Sequence, residues 1–369
     1  MNKFWATLTI CTMLGWGNDG VFYGSGNQLI PIVESDISIS WEVLEIKRID
    51  RWTLDVNVQY HFYNPGSAKQ LHVGFEAPSP LGPDVEAAPK NGQHPYITHF
   101  SVEVNDKPVS YQCVTVADKN YLKDGKIQAK SMYEIAGNSD LSELPFLYVY
   151  HFNADFAQGD NTVTHHYRYS LSGTTDDAYY FDYILTAAKR WANKHIDNFT
   201  LSIDLGLYQN FVMKQSFFSN PSEWNVNGIV QKGKCTPYEK MKECAEFFVI
   251  GGPIVYQKKN FKIRGDLSIV APLKNLVDGI PNYDFDYRNN RLPFGIDQSL
   301  NITNSHDKTS YRILRNLPYA RRGYVFKTPE IRRYYEAQPW YRPNPSYKAA
   351  LNKLTPQEKE WLKKLTIGD

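Results

Sequence analysis

From Trp52 to Phe62 every second residue is large and apolar: Trp52, Leu54, Val56, Val58, Tyr60 and Phe62 alternate with polar side chains without a break, and Asn64-Pro65-Gly66 then turns the chain. A period of two over this length is a half-buried β-strand and nothing else. The same period recurs at Ile37, Ile39, Trp41 and Val43, at Val163, His165, Tyr167, Tyr169 and Leu171, at Phe199, Leu201, Ile203 and Leu205, and at Phe261, Ile263, Leu267 and Ile269. Phe100, Val102 and Val104 run into Asn105-Asp106-Lys107-Pro108, and Val109, Tyr111 and Cys113 run out again, which is a hairpin pattern. Strands joined by turns give antiparallel sheets, and sheets with one apolar face bury it in a sandwich. The expected fold class is therefore mainly β, an antiparallel β-sandwich body with a small α-helical C-terminal module. The body, about 32–272, is long enough for two packed β modules, 18–157 and 158–272, divided where Ala157-Gln158-Gly159-Asp160-Asn161 breaks the pattern. One large sandwich is physically allowed as well. Brief helical turns are expected at 139–144, 187–194 and 237–243.

The first residues read as a secretion signal. Met1-Asn2-Lys3 is a short basic start, Phe4 to Leu14 is apolar apart from three Thr, and Gly15-Trp16-Gly17 offers small residues for a cut after Gly17. The apolar run is too short to span a bilayer, and Cys11 follows a bulky Ile10, a poor context for lipid attachment. No later segment reaches membrane-spanning length. The expected location is therefore across the inner membrane, in the periplasm or outside the cell. In that oxidising setting Cys235 and Cys244, eight residues between them, are expected to form a local disulfide. Cys113, on an alternating face, reads as an inert buried thiol.

Leu273 to Ser305 loses periodicity and reads as a linker or an extended arm, with Leu292, Phe294 and Ile296 as anchors. After it the period becomes helical: Tyr311, Leu314 and Leu317 share a face and Gly323 is placed to end the segment. Thr328-Pro329-Glu330 opens a second helix, and Thr355-Pro356-Gln357-Glu358 is a capping box for a last one carrying Trp361, Leu362 and Leu365. Charge is segregated as well. Residues 307–369 carry 14 Lys and Arg against six Asp and Glu, a net of +8, whereas the preceding chain, Lys3 apart, carries 26 basic and 33 acidic residues.

The segment 306–366 resembles the YARHG domain, a small module of secreted bacterial proteins. The resemblance rests on Tyr311-Arg312-Ile313-Leu314-Arg315-Asn316-Leu317-Pro318, on Tyr319-Ala320-Arg321-Arg322-Gly323-Tyr324-Val325-Phe326, and on Gln338-Pro339-Trp340-Tyr341 with Pro343-Asn344-Pro345. Arg322 stands where the family usually carries His, which argues against a proton-transfer or metal role for the motif. The stretches Gly26-Asn27-Gln28-Leu29-Ile30-Pro31 and Gly74-Phe75-Glu76-Ala77-Pro78-Ser79-Pro80 look like the β region that precedes this module in bacterial envelope proteins. The resemblance implies envelope residence and carries no activity.

Nucleophile elbow, zinc-binding helix, phosphate loop and dinucleotide fingerprint are all missing from the sequence. His165-His166 on a strand would point to opposite faces. Asp176-Asp177 with Asp182, and Asp284 with Asp286, lack the spacing of a calcium loop. No catalytic residue, cofactor or metal is therefore expected. The leading expectation is a non-catalytic envelope protein, scaffold or binding module, whose basic C-terminal domain contacts an anionic wall polymer or envelope partner, with nucleic acid not expected. Its candidate binding residues are Tyr319, Arg321, Arg322, Tyr324, Arg332, Arg333, Trp340 and Tyr341. The alternative is a hydrolase of glycans or wall polymers using carboxylates brought together from loops. A third expectation is that the tail serves structure alone, with its motif rings in the core.

Overall fold

The unbroken alternation becomes one strand of 12 residues, Thr53–Asn64, with Leu54, Val56, Val58, Tyr60 and Phe62 buried. Trp52 falls outside it, in the preceding turn, 43% exposed with the Arg51 guanidinium stacked 4.5 Å from its ring. The structure, a computed structural model, describes residues 26–27, 29–32, 36–82, 85–124, 126–174, 177–233, 243–272, 287–288, 292–296 and 308–365. The expected signal segment, Cys11, Asp176, Asp284, Asp286 and residues 234–242 with Cys235 lie outside the described residues, and the Cys235–Cys244 bridge with them. Cys244 itself is buried.

Thr53–Asn64 lies inside an eight-stranded sheet with the order Trp224–Asn225, Ile254–Phe261, Ile196–Asp204, Ser38–Arg48, Thr53–Asn64, Gly159–Ser170, Ile97–Val104, Lys107–Pro108. A four-stranded sheet (Leu29–Pro31, Lys69–Pro78, Leu147–Phe156, Gln112–Val116) and a six-stranded sheet (Gly26–Asn27, Asp177–Ile184, Leu267–Pro272, Gln209–Lys214, Cys244–Val249, Gly228–Lys232) meet the face of the large sheet. Phe62 meets Phe156 edge-on at 5.6 Å and Phe75 meets Tyr167 at 5.1 Å across the first interface; Trp224 meets Phe247 at 5.5 Å across the second. The fold is the mainly β, largely antiparallel sandwich that the period of two demands, with one layer split into two sheets. Pairing is not antiparallel throughout, because Ser38–Arg48 runs parallel to Ile196–Asp204.

Two local readings are corrected by the backbone. A bulge between Ile39 and Trp41 shifts the register, so parity reverses along Ser38–Arg48: Glu42, Leu44 and Ile46 face the core, while Trp41 and Val43 are only half-buried. Glu42 is thereby carried to 0% exposure. Burial, and behind it the charge of Glu42, pushes the Tyr60 hydroxyl well above the usual tyrosine range. The hairpin at Asn105-Asp106 forms with both residues at positive φ, 50° and 61°, as a tight primed turn requires. Its return strand, however, is only Lys107–Pro108, and the chain then crosses to the four-stranded sheet as Gln112–Val116. Cys113 there is half-buried, its thiol pushed up to about 12 by burial. His165 is buried, which holds its imidazole down at about 3, and the adjacent His166 turns away to Asp55 at 2.9 Å.

At residue 157 the chain turns a corner between layers. Leu147–Phe156 belongs to the four-stranded sheet and Gly159–Ser170 to the eight-stranded one, so the chain changes layer there. One apolar cluster runs from Leu29 to Ala271 through both expected halves. Asn161, 2% exposed, pins the corner: its carboxamide accepts from Ala157 N at 2.8 Å and from Asn105 Nδ2 at 3.0 Å, and donates to the carbonyls of Ala157 and Gly159. The helix α1 (Met132–Ala136) begins with a Ser131/Glu134 capping box, and short 3-10 turns occupy Leu141–Glu143 and Thr186–Arg190.

Because a single core crosses residue 157, the body is expected to unfold in one transition, with coincident calorimetric and near-ultraviolet dichroism midpoints. Asn161→Ala, which leaves the Ala157 N–H without its partner, is expected to cost about 2 kcal/mol while keeping that single transition. Two separated transitions in either protein would mean that the body divides.

Candidate functional site

The C-terminal module is three helices around an aromatic cluster. Helix α2 (Lys308–Ala320) buries Ile313, Leu314 and Leu317, α3 (Pro329–Glu336) buries Ile331, Tyr334 and Tyr335, and α4 (Pro356–Lys364) buries Trp361. Buried polar atoms on these rings are satisfied by backbone: the Tyr335 hydroxyl donates to Ile313 O at 2.6 Å and Trp361 Nε1 to Leu314 O at 2.8 Å. Ile313, which the Tyr311/Leu314/Leu317 face omits, is fully buried, whereas Tyr311 is half-exposed.

The motif after α2 is a helix stop. Tyr324 N donates to Tyr319 O at 3.0 Å and Gly323 N to Ala320 O at 2.8 Å, the paired bonds of a Schellman cap, with Gly323 at φ +78°. A Cβ at Gly323 would meet Arg342 O at 2.3 Å, so the glycine is required both by conformation and by the chain packed on it. The cap turns the next side chains inward. Glu358 of α4 is the meeting point: its N3 position closes the capping box, Thr355 N donating to Oε2 at 2.9 Å, and Arg322 binds it in a fork, Nη1 to Oε1 and Nη2 to Oε2, both at 2.7 Å. Arg321 Nη1 reaches the same Oε1 at 3.1 Å. The side chains of Arg321 and Glu358 are 2% and 1% exposed, and that of Arg322 15%.

Arg321 also joins the module to the body. Its Nε donates to Phe294 O at 2.6 Å and its guanidinium lies 4.4 Å from the ring of Tyr208, in the loop before Gln209–Lys214. Its Nη2 is buried with no hydrogen-bond partner. Burial lowers Arg321 to about 10 despite the opposing charge of Glu358. For Glu358, burial raises the carboxyl, but the Arg322 and Thr355 hydrogen bonds and both guanidinium charges outweigh it and hold it below its ordinary 4.5. Phe294 sits among Tyr208, Phe248 and Trp340 at ring distances of 5.8, 5.8 and 5.2 Å, and Leu292 and Phe294 are both buried. This explains why Cys244–Val249 is buried on both faces: Phe247 points into the sandwich and Phe248 into the module's cluster.

At this junction lies a cleft of about 380 Å³. Its walls come from the end of Ser38–Arg48 and the turn after it (Arg48, Arg51), from Tyr179 and Gln209 of the six-stranded sheet, and from Arg321 and Gln357 of the module. Tyr208, also in the wall, holds φ +51°, a strained value for a bulky side chain. Among the described residues Asp50 is the one carboxylate in its lining.

The structure thus splits the candidate binding set. Arg321 and Arg322 are committed to Glu358, Trp340 and Tyr341 are buried, and Tyr319 and Tyr324 are half-buried with ring centroids 6.5 Å apart. Arg332 and Arg333 alone are exposed, Arg332 paired with Glu336 at 2.8 Å. Sequence reasoning missed Glu358 as the counter-ion, although the capping box named it, and missed Arg48, Tyr208 and Gln209 entirely. Among the described residues no three His, Cys, Asp or Glu side chains are placed to hold a metal, and no helix is long and apolar enough to cross a membrane.

The family profile of the YARHG domain matches residues 299–366, taking in the span expected from the motifs. No curated protein matches the chain. Among solved structures, a candidate nutrient binding protein of Legionella pneumophila is similar with a TM-score of 0.49 and 18% identity, over 95% of this chain and 99% of that one. An M1 zinc metallopeptidase of Deinococcus radiodurans is similar with a TM-score of 0.25 and 8% identity, over 65% of this chain and 43% of that one. Baculovirus P35 is similar with a TM-score of 0.29 and 9% identity, over 67% and 99%.

Two outcomes follow from the geometry. Glu358→Gln is expected to destabilise the module by about 3–5 kcal/mol, because two buried guanidiniums lose their counter-charge. Since the folded pKa of Glu358 lies below the ordinary 4.5, its contribution is complete above that value and is lost as pH falls through the folded pKa. The wild-type melting temperature should therefore drop on acidification below about pH 4.5, and Glu358→Gln should lack that part of the drop. Gly323→Ala is expected to cost about 3 kcal/mol, at the top of the range for strained backbone because of the Arg342 contact, read from the shift in thermal midpoint.

Proposed function

We propose that this chain is a secreted protein of the bacterial cell envelope, of binding or scaffold type, whose C-terminal module holds an anionic wall polymer against its exposed basic surface. One observation carries the reading: the segregation of the module's charges. Of the 14 Lys and Arg between 308 and 365, twelve are exposed, and only Arg321 and Arg322 turn inward. Exposed acids over the same span are Glu330, Glu336 and Glu360, while Glu358 is consumed inside. The module's outer surface therefore carries a net of +9, close to the +10 of the sequence over the same span, because the internal cluster removes two arginines and one carboxylate from it. A field of this size gathers polyanions and is weakened by salt. The contacts described across the junction are Arg321 and Arg322 over the Tyr208 ring and the apolar packing around Phe294 and Phe248, and Arg332, Arg333 and Lys359 take no part in them. The leader expected at 1–17 and the family match at 299–366 support export, to the periplasm or beyond.

The test is retention of the full chain on purified anionic wall polymer. Each cation near an anionic surface contributes about 1 kcal/mol, so replacing Arg332, Arg333, Lys359 and Lys363 by Gln should weaken retention by well over tenfold. Wild-type retention should also fall several-fold as salt rises from about 50 to about 500 mM. Equal retention of the fourfold variant, or retention indifferent to salt, overturns the reading.

A further inference from the structure

The cleft at the junction holds a cation that forms no ion pair among the described residues. Arg48 is half-buried, and its guanidinium is fixed by neutral groups only: Nε donates to Asp50 O at 3.2 Å, Nη1 to Gln209 Oε1 at 3.2 Å, and the Tyr179 ring lies 4.7 Å from Cζ. The Tyr179 hydroxyl donates to the same Gln209 oxygen at 3.1 Å, so the amide oxygen is saturated and the arginine's orientation is locked. A guanidinium has five N–H donors in a planar fork, and two are used here. The other charges in the wall do not compensate it. Arg51 and Arg321 are cations too, and the Asp50 carboxylate accepts from Trp52 N at 2.8 Å and makes no ion pair with Arg48. Apolar side chains adjoin the cations. Tyr179, Ile49 and Leu207 line the cleft, and Ile49 and Leu207 remain 42% and 59% exposed at its rim.

From this we infer that the cleft binds a small organic anion with an apolar body, its carboxylate or phosphate head seated on the fork of Arg48 and its body lying along Tyr179, Ile49 and Leu207. A cavity of about 380 Å³ falls in the range that small-molecule ligands occupy, and it is too small to enclose a polymer. A planar fork held by neutral acceptors is preorganised for an oxyanion, because binding requires no competing ion pair to be broken. The same wall contains the strained Tyr208 and side chains of the docked module, so a filled cleft fastens the module to the body. This site is separate from the exposed basic surface of the preceding section.

The experiment uses the full chain and three probes: phenylacetate and phenyl phosphate, which carry the two heads on one body, and inorganic phosphate, a head without a body. Saturable binding of at least one aromatic probe is expected at millimolar or lower concentration by ligand-observed NMR, at least tenfold tighter than inorganic phosphate. Arg48→Gln should weaken it at least tenfold. Leu207→Glu, which sets a negative charge at an exposed rim position without touching the core, should do the same while leaving the melting temperature unchanged. No saturable binding of any probe, equal affinity in both variants, or inorganic phosphate bound as tightly as the aromatic anions overturns the inference. Retention of Arg48→Gln on wall polymer should equal that of wild type, which keeps a failure here distinct from a failure of the polymer reading.

Discussion

Glu358 holds the C-terminal module together by answering three demands with one carboxylate. It closes the cap of α4, it receives the fork of Arg322, and it neutralises part of Arg321. Two guanidiniums against one carboxylate leave a buried positive excess, which is costly unless dipoles absorb it. They do: the carbonyls of Pro318, Lys353 and Phe294 accept from the two arginines, and the Tyr208 ring offers its face. Three of these four groups lie far along the chain from the arginines. The cluster therefore forms only when helix stop, arm and sheet loop are all in place, and its electrostatics specify one docking geometry where apolar packing alone would tolerate several.

The sheet architecture was legible because burial on one face imposes a period that no other structure shares. What could not be read were events that change parity without changing residue type. The bulge at Ile39/Trp41 inserts one residue and turns every later side chain of Ser38–Arg48 to the other face, which is how a glutamate reached the core and a tryptophan left it. The break at 157 was visible, but a corner between layers and a linker between modules use the same turn residues, and only pairing separates them.

In the module, local signals were reliable and distant ones were not. The capping box at Thr355 and the helix stop at Gly323 follow from neighbours in sequence, and both are present. That the glutamate of the first should bind the arginines before the second depends on helices 36 and 37 residues apart meeting, which no spacing encodes. Burial decided the fate of the motif: the residues that most distinguish the segment serve its assembly, and those left at its surface, Arg332 and Arg333 among them, are ordinary in pattern.

Arginine appears here in two physical states, and the contrast orders the functional readings. Where a guanidinium is buried against a carboxylate, as at Arg321 and Arg322, removing it would strand the partner, so its place is fixed by stability. Where one is held by a carbonyl, an amide oxygen and a ring, as at Arg48, the fold has oriented a charge without neutralising it. Orientation costs side-chain entropy, which a surface arginine avoids by remaining mobile in water. A fold that bears that cost and leaves the charge open gains from it only when an anion arrives. The unanswered cation, more than the conspicuous motif, is the part of this chain that points outside itself.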